Sequence, residues 1–310
     1  MPVDEPIRFP FFAMGSSCAL TLYVNTGIEP ALVAMAAAAE VKRIEQSYSR
    51  YRSDSIINVI NEAARRGAHI EVDPETAVLI DHAFDVYRRS EGLFDITSGV
   101  LRQVWNDDAV KPPDQIAIGK LLERVGLQKV SWMRPRLSFA IAGMEIDFGG
   151  IAKEYAADRA GAVCKSFGVK HGIVNLGGDL AVIGPNLDGS PWRIGISDPK
   201  DPQTAIATLF VSKGGVATSG DYERYWEFDG RRYGHILNPL TGWPVQGLLS
   251  ATVAAESCLE AGTFSTTAIL KSDEGIAWLS DHAPAHLYTD RAHRLGGSAL
   301  DNRRSKRLRN

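Results

Sequence analysis

The residues of this sequence that could do chemistry include a histidine, a lysine and several carboxylates, which lie near the ends of predicted strands. His235 follows a segment rich in aromatic residues and precedes the Asn238-Pro239 turn. A histidine there can titrate near neutral pH and act as a general base on a bound ligand. The alternative is that His235 only caps the turn through a hydrogen bond, so the residues around it must decide.

The stretch Asp147-Phe148-Gly149-Gly150-Ile151-Ala152-Lys153 is typical of a strand that ends in Asp, a turn of two glycines and the start of a helix. The free N–H groups at such a helix start bind anions, and Lys153 adds a positive charge. The spacing GxxxxGK[ST] is absent, which excludes a nucleotide-binding P-loop. Taken alone, the junction is also compatible with plain tight packing.

A similar strand and Gly-Gly turn end at Asp179, and Asp221 follows another predicted strand. For both aspartates a structural role in turns and caps carries as much weight as a role in a site.

Helices and strands alternate irregularly along the chain. The hydrophobic spacing and capping residues predict helices over 29–48, 56–64, 74–90, 112–127, 151–167 and 258–270. Strands are predicted over 130–132 and 142–147, with Pro135 in the turn between them, and a hairpin turns at Asp229-Gly230. The helix over 258–270 is rich in hydroxyl side chains, which disfavour helix interiors and therefore indicate that some have partners.

Composition narrows the class of protein. The 310 residues carry a net charge of −3, with 45% apolar and 23% charged residues, as in a globular domain without a nucleic-acid groove. Three widely spaced cysteines exclude a disulfide framework or zinc site and fit a reducing compartment. No membrane span is predicted. The start of the chain shows no signal sequence, so we expect a cytoplasmic protein, or a periplasmic one if an export signal has been removed.

These patterns predict an α+β fold with mixed sheets and flanking helices. We expect a single compact domain over residues 1–300, with a division into two lobes left open. Residues 301–310 are basic and nearly devoid of apolar side chains, so they are predicted to form a disordered tail.

Seven segments in order carry a resemblance to the FAD:protein FMN transferase family. They span most of the chain and are 14–16, 49–55, 92–97, 147–153, 175–179, 217–222 and 235–242. The resemblance implies that the pyrophosphate of FAD is split, that FMN moves to a Ser or Thr hydroxyl of an acceptor protein, and that AMP leaves. It also implies Mg²⁺ as the cation.

The matching motif positions imply roles for individual residues. His235 corresponds to the general base, while the Gly150 carbonyl and the Thr266 hydroxyl correspond to magnesium ligands. The positions that correspond to FAD contacts are Met14, Tyr51, Leu93, Phe94, Asp95, Asp147, Lys153 and Ile236.

Three positions depart from the family pattern. Gly262 stands where an Asp usually precedes Thr266 by four residues, Glu154 stands where Gly is common, and Ser16 where Thr is commoner. Because Mg²⁺ prefers carboxylate oxygens, metal affinity should fall unless Glu260, Ser265 or the FAD phosphates compensate. An FAD-binding protein or slow FAD hydrolase is therefore the alternative function. An Asp at position 262 is expected to be tolerated, since Gly is the poorer helix former.

Overall fold

The computed structural model describes residues 5–24, 27–220, 224–283 and 285–300. The predictions for Asp221 and for the tail over 301–310 lie outside these residues. Strands and helices are interspersed along the described chain, and the α+β class is confirmed.

The strands are β1 (Ile7–Ala13), β2 (Ser16–Tyr23), β3 (His69–Glu71), β4 (Val130–Met133), β5 (Arg136–Phe139), β6 (His171–Leu176), β7 (Asp179–Gly184), β8 (Trp192–Asp198), β9 (Asp201–Val211), β10 (Gly214–Gly220), β11 (Tyr225–Phe228), β12 (Arg231–Gly234), β13 (Ser250–Ala255), β14 (Ala285–Thr289) and β15 (Leu295–Gly296). The α-helices are α1 (Pro30–Tyr48), α2 (Ile56–Arg65), α3 (Pro74–Arg89), α4 (Gln115–Leu122), α5 (Ala152–Ser166), α6 (Cys258–Leu270) and α7 (Gly275–His282). A 3-10 helix covers Ile96–Gln103.

Helix starts follow the local sequence. The Ser55 hydroxyl accepts the Asn58 N–H at the start of α2, and the Asp73 carboxylate accepts the N–H groups of Glu75 and Thr76 at the start of α3. Pro74 follows Asp73 at the first helical position, where its missing N–H costs nothing. These starts agree with the predicted ones, whereas α4 is shorter at both ends than the predicted 112–127.

An eight-stranded sheet organises the chain, in the order β1-β2-β6-β7-β10-β13-β14-β15, and every pairing of described strands is antiparallel. Tight turns with positive φ at both central residues close three hairpins, as the right-handed strand twist favours. These turns are Met14-Gly15, Gly177-Gly178 and Asp229-Gly230.

Both faces of the sheet are covered. Helices α1, α5 and α6 pack on one face, and the β8–β9 hairpin packs on the other. Because side chains alternate along a strand, Val174 joins the helical core while its neighbour Ile173 joins the core under the hairpin. Strand β7, at the centre of this sandwich, is buried along its whole length.

The predicted strand over 142–147 is wrong. After the turn at Pro135 the chain forms β5 instead, which pairs with both β3 and β4. The backbone of Ile146 bonds to the side-chain amide of Asn61, and the Asp147 N–H donates to the Ile96 carbonyl at 2.8 Å. A buried side chain and a neighbouring loop thus satisfy backbone groups that a strand partner would otherwise satisfy.

Two further observations concern the cysteines and the length of the helices. Cys18, Cys164 and Cys258 are all buried free thiols. None of the described helices combines the length and apolarity that crossing a bilayer requires.

Helices α5 and α6 run antiparallel, since residue 158 meets residue 258 and residue 154 meets residue 262. A carboxylate in the middle of α5 binds the start of α6. Asp158 of α5 accepts the backbone N–H groups of Cys258 and Leu259, each at 2.9 Å. These groups belong to the first turn of α6, where four N–H groups lack partners within the helix. Asp158 therefore fixes how the two helices are aligned.

Replacing Asp158 with Ala should destabilise the protein, because two partly buried N–H groups lose their acceptor at up to about 1–3 kcal/mol each. Urea unfolding would measure the change in the free energy of unfolding. Asp85→Ala is the matched control, since it removes only exposed ion pairs with Arg88 and Arg89 and should cost no more than about 1 kcal/mol. Equal effects in the two variants would contradict the role assigned to Asp158.

Candidate active site

The Gly149-Gly150 turn leads from Asp147 into α5. The Asp147 carboxylate accepts the Gly149 N–H at 2.9 Å, which fixes the turn. A Cβ at Gly150 would lie 3.3 Å from the Phe94 ring, so the loop before the 3-10 helix packs directly against this turn. The predicted segments 92–97 and 147–153 therefore meet in space.

Two arginines pair with Asp147. Arg50 Nη1 lies 2.8 Å and Arg102 Nε 3.4 Å from Asp147 Oδ2. The arginines come from the loop after α1 and from the 3-10 helix, so three distant parts of the chain meet at this carboxylate. The residue predicted to contact FAD thus also holds two guanidinium groups in place.

His235 follows β12 and is held through one ring nitrogen. Its Nδ1 lies 3.1 Å from the Arg224 carbonyl oxygen, which also accepts the His235 backbone N–H at 3.1 Å. A carbonyl can only accept, so Nδ1 carries the proton and Nε2 is the acceptor of the neutral ring. Burial lowers the pKa of His235 to about 4. The imidazole is therefore neutral at pH 7 and able to take a proton.

Positive charges surround His235. After burial, the charges of Arg224, Arg102 and Lys153 also lower its pKa, which means that all three lie close enough to interact with the ring. Three separate segments of the chain, at residues 102, 153 and 224, thus contribute positive charge that acts on His235. Such a cluster favours a ligand with concentrated negative charge, such as a pyrophosphate.

Lys153, in the first turn of α5, pairs with a buried carboxylate. Its Nζ lies 2.8 Å from Asp179 Oδ2, and Asp179 Oδ1 accepts the Thr218 N–H at 3.4 Å. Burial raises the pKa of Asp179, while Lys153 opposes that shift. Asp179 therefore orients Lys153 and connects β7 with β10, which supports the structural role considered for it.

Glu154, next to Lys153, points into the protein. The residue is only 7% exposed, and its Oε2 finds no hydrogen-bond partner among the described residues. Burial, together with the nearby charge of Asp179, raises the pKa of Glu154 to about 8. Sequence reasoning noticed this residue only as a departure from Gly.

Three hydroxyls converge where β10 meets α6. Ser219 Oγ lies 2.8 Å from Thr266 Oγ1 and 2.9 Å from Ser265 Oγ, and Ser265 also donates to the Gly262 carbonyl at 3.0 Å. Within 261–270, Thr266 alone is partly exposed, and the other nine residues are buried. The predicted partners for hydroxyls in this helix are present.

The Asp95 carboxylate is used within the protein. Its Oδ1 accepts the N–H and hydroxyl of Thr97, and its Oδ2 accepts the Leu127 N–H at 3.0 Å. Asp95 thereby caps the 3-10 helix and shapes the loop that carries Leu93 and Phe94. Direct contact of these three residues with FAD stays a prediction.

The remaining predicted FAD contacts lie at turns. Met14 occupies the β1–β2 turn, and Ile236 follows His235 with its carbonyl bonded to the Val245 N–H. Tyr51 is 86% exposed at the rim of an open groove of about 730 Å³ that α2 and β3 also line. The groove includes Arg50 but neither His235 nor Lys153.

Sequence reasoning missed the arginines. Arg50 lies inside a segment already singled out, so its proximity to Tyr51 was a usable signal. Arg102 and Arg224 stand in segments without a recognisable pattern, and only the fold brings them to His235.

A model of the ApbE family matches residues 14–288. The chain is 30% identical over 241 residues to the FAD:protein FMN transferase of Vibrio cholerae, covering 76% of this chain and 72% of that protein. The crystal structure of the ApbE protein of Thermotoga maritima superposes with a TM-score of 0.88, 32% identity and coverage of 96% and 98% of the two chains. The flavinyl transferase ApbE of Pseudomonas stutzeri gives a TM-score of 0.85, 28% identity and 97% coverage of each.

The imidazole of His235 should titrate near pH 4 in the free protein. An unfolded histidine titrates near 6.5, so between these values the unfolded state binds the extra proton and acid destabilises the fold. NMR of labelled histidine, assigned by comparison with His235→Gln, would give the midpoint. A midpoint near 6.5 would contradict the lowered pKa of His235.

Proposed function

The chain belongs to the ApbE family, and on that basis we propose that it transfers FMN from FAD to a hydroxyl group of an acceptor protein and releases AMP. The observation that carries the proposal is a neutral His235 whose ring is held by the Arg224 carbonyl and on which the charges of Arg102, Lys153 and Arg224 act. A base and a cationic surface for phosphates are the two requirements of such a transfer. A Ser or Thr side chain supplies the hydroxyl.

Different residues of the chain have different roles in the proposed transfer. The helix start after Gly149-Gly150 and the ammonium of Lys153 bind the pyrophosphate, and Asp179 orients that ammonium. His235 Nε2 removes the proton of the acceptor hydroxyl. The hydroxyl oxygen then bonds to the phosphorus on the FMN side, and the bond from that phosphorus to the oxygen of AMP breaks.

The residues around Gly150 and Thr266 fit a hard divalent cation. Such ions take carbonyl, hydroxyl and carboxylate oxygens, and the buried Glu154 Oε2 lacks a partner among the described residues. The described part of the chain holds no cluster of three or more His, Cys, Asp and Glu side chains, so phosphate oxygens of FAD and water would complete the shell. Mg²⁺ at this position would neutralise the charge that develops on the phosphates.

His235→Ala should reduce FMN transfer by roughly 10²–10⁴-fold while FAD binding stays within a few-fold, since a general base acts mainly in the transition state. The assay combines the purified protein, FAD, Mg²⁺ and a protein with a flavin-acceptor motif, and reads in-gel flavin fluorescence on the acceptor.

Loss of the fold or of FAD binding in His235→Ala would favour the turn-capping role instead. Wild-type protein that retains FAD without labelling the acceptor would favour a flavin-binding protein over a transferase.

FAD should bind more tightly than FMN, because Lys153 and the Gly-Gly turn face a pyrophosphate that FMN lacks. Titration followed by flavin fluorescence would measure both dissociation constants. Lys153→Met should reduce the difference between them, whereas Lys42→Met, which removes an exposed lysine on α1, should leave it unchanged. Equal affinities in the wild-type protein would exclude this position for the pyrophosphate.

A further inference from the structure

The side chain of Glu154 occupies the space beside Gly262. A Cβ at position 262 would lie 2.4 Å from Glu154 Cγ, closer than real Cβ atoms approach other atoms, and 3.1 Å from Oε1. Any side chain at 262 would therefore displace Glu154. The expectation that Asp is tolerated at this position stays a prediction: the backbone of α6 permits it, but Glu154 must move to make room.

The alignment of the two helices explains why these residues meet. Asp158 bonds to the backbone at residues 258 and 259, and residues four apart lie on the same face of a helix. One turn back along α5 is Glu154, and one turn forward along α6 is Gly262. One further turn along α6 is Thr266, and Gly150 lies in the turn directly before α5. Because α5 and α6 run antiparallel, Glu154 faces the part of α6 that leads to Thr266, at the end of α5 where Gly150 lies.

The surroundings of Glu154 suit a cation better than an apolar partner. An ionised carboxylate is costly to bury unless an opposite charge or hydrogen bonds stabilise it. Here Oε2 has no partner among the described residues, and the adjacent Lys153 pairs with Asp179. A divalent ion beside Gly150 and Thr266 would supply the missing charge.

We propose that Glu154 supplies the protein carboxylate of the metal site and that Gly262 is required to make room for it. This inference rests on the proposed function. It assigns to α5 a ligand that α6 would otherwise provide at position 262. The two other candidates have different tasks in the structure, because Glu260 accepts the Glu256 N–H and Ser265 bonds to Ser219 and Gly262.

Metal binding tests the inference directly. Mn²⁺, which also prefers oxygen ligands and is visible by EPR, would be titrated into the protein with and without saturating FAD. Glu154→Gln keeps the shape but removes the charge, and should weaken Mn²⁺ binding in the presence of FAD at least about tenfold. Glu260→Gln, the matched control in the first turn of α6, should leave it unchanged.

A pair of exchanges tests the steric part. Gly262→Asp alone should lower the melting temperature, because it forces Glu154 out of its position. Glu154→Gly alone should lose Mn²⁺ affinity. The double variant Glu154→Gly/Gly262→Asp should recover both the melting temperature and Mn²⁺ affinity to within a few-fold of the wild-type protein.

The outcomes separate the two proposals. If FAD binds and FMN is transferred but Glu154→Gln binds Mn²⁺ as the wild-type protein does, Glu154 is no ligand and only this inference fails. If the wild-type protein binds Mn²⁺ with FAD and Glu154→Gln does not, but no acceptor is labelled, the ligand assignment stands and the transferase proposal fails.

Discussion

The bond from Asp158 to the first turn of α6 is the constraint on which the site depends. It fixes the antiparallel alignment of α5 and α6, and every oxygen proposed for the cation follows from that alignment. A shift of α6 by one residue would rotate Gly262 and Thr266 by about 100° away from α5. The two helices also cover the same face of the central sheet, so packing and chemistry share one set of contacts.

A second group of charged residues surrounds the turn before α5 and acts on His235. Asp147 gathers Arg50 and Arg102, Asp179 holds Lys153, and Arg102 and Lys153 both act on His235. Asp147 and Asp179 thus fix the positions of neighbouring cationic side chains. Because a preorganised charge need not be rearranged during the reaction, such pairs suit a site for phosphoryl transfer.

Much of the fold could be predicted from short sequence patterns. The caps at Ser55 and Asp73, the Asp229-Gly230 turn and the bounds of α6 follow from the sequence, because neighbouring residues determine them. The segment 142–147 could not be predicted in this way, since its backbone bonds to Asn61 and to the loop at Ile96. The same division applies to the site. His235 and Lys153 stand in recognisable motifs, whereas the cation of Arg102 and the packing of Glu154 on Gly262 exist only in three dimensions.

The contact between Glu154 and Gly262 has a consequence for how such a protein can change over time. With a glutamate at 154 and a side chain at 262, the two groups collide; with glycine at both positions, the carboxylate is lost from both helices. Every route from one arrangement to the other by single substitutions passes through one of these two states. The two positions, more than a hundred residues apart in the chain, are therefore expected to be inherited as a matched pair, and relatives should divide into lineages that carry the carboxylate on one helix or on the other.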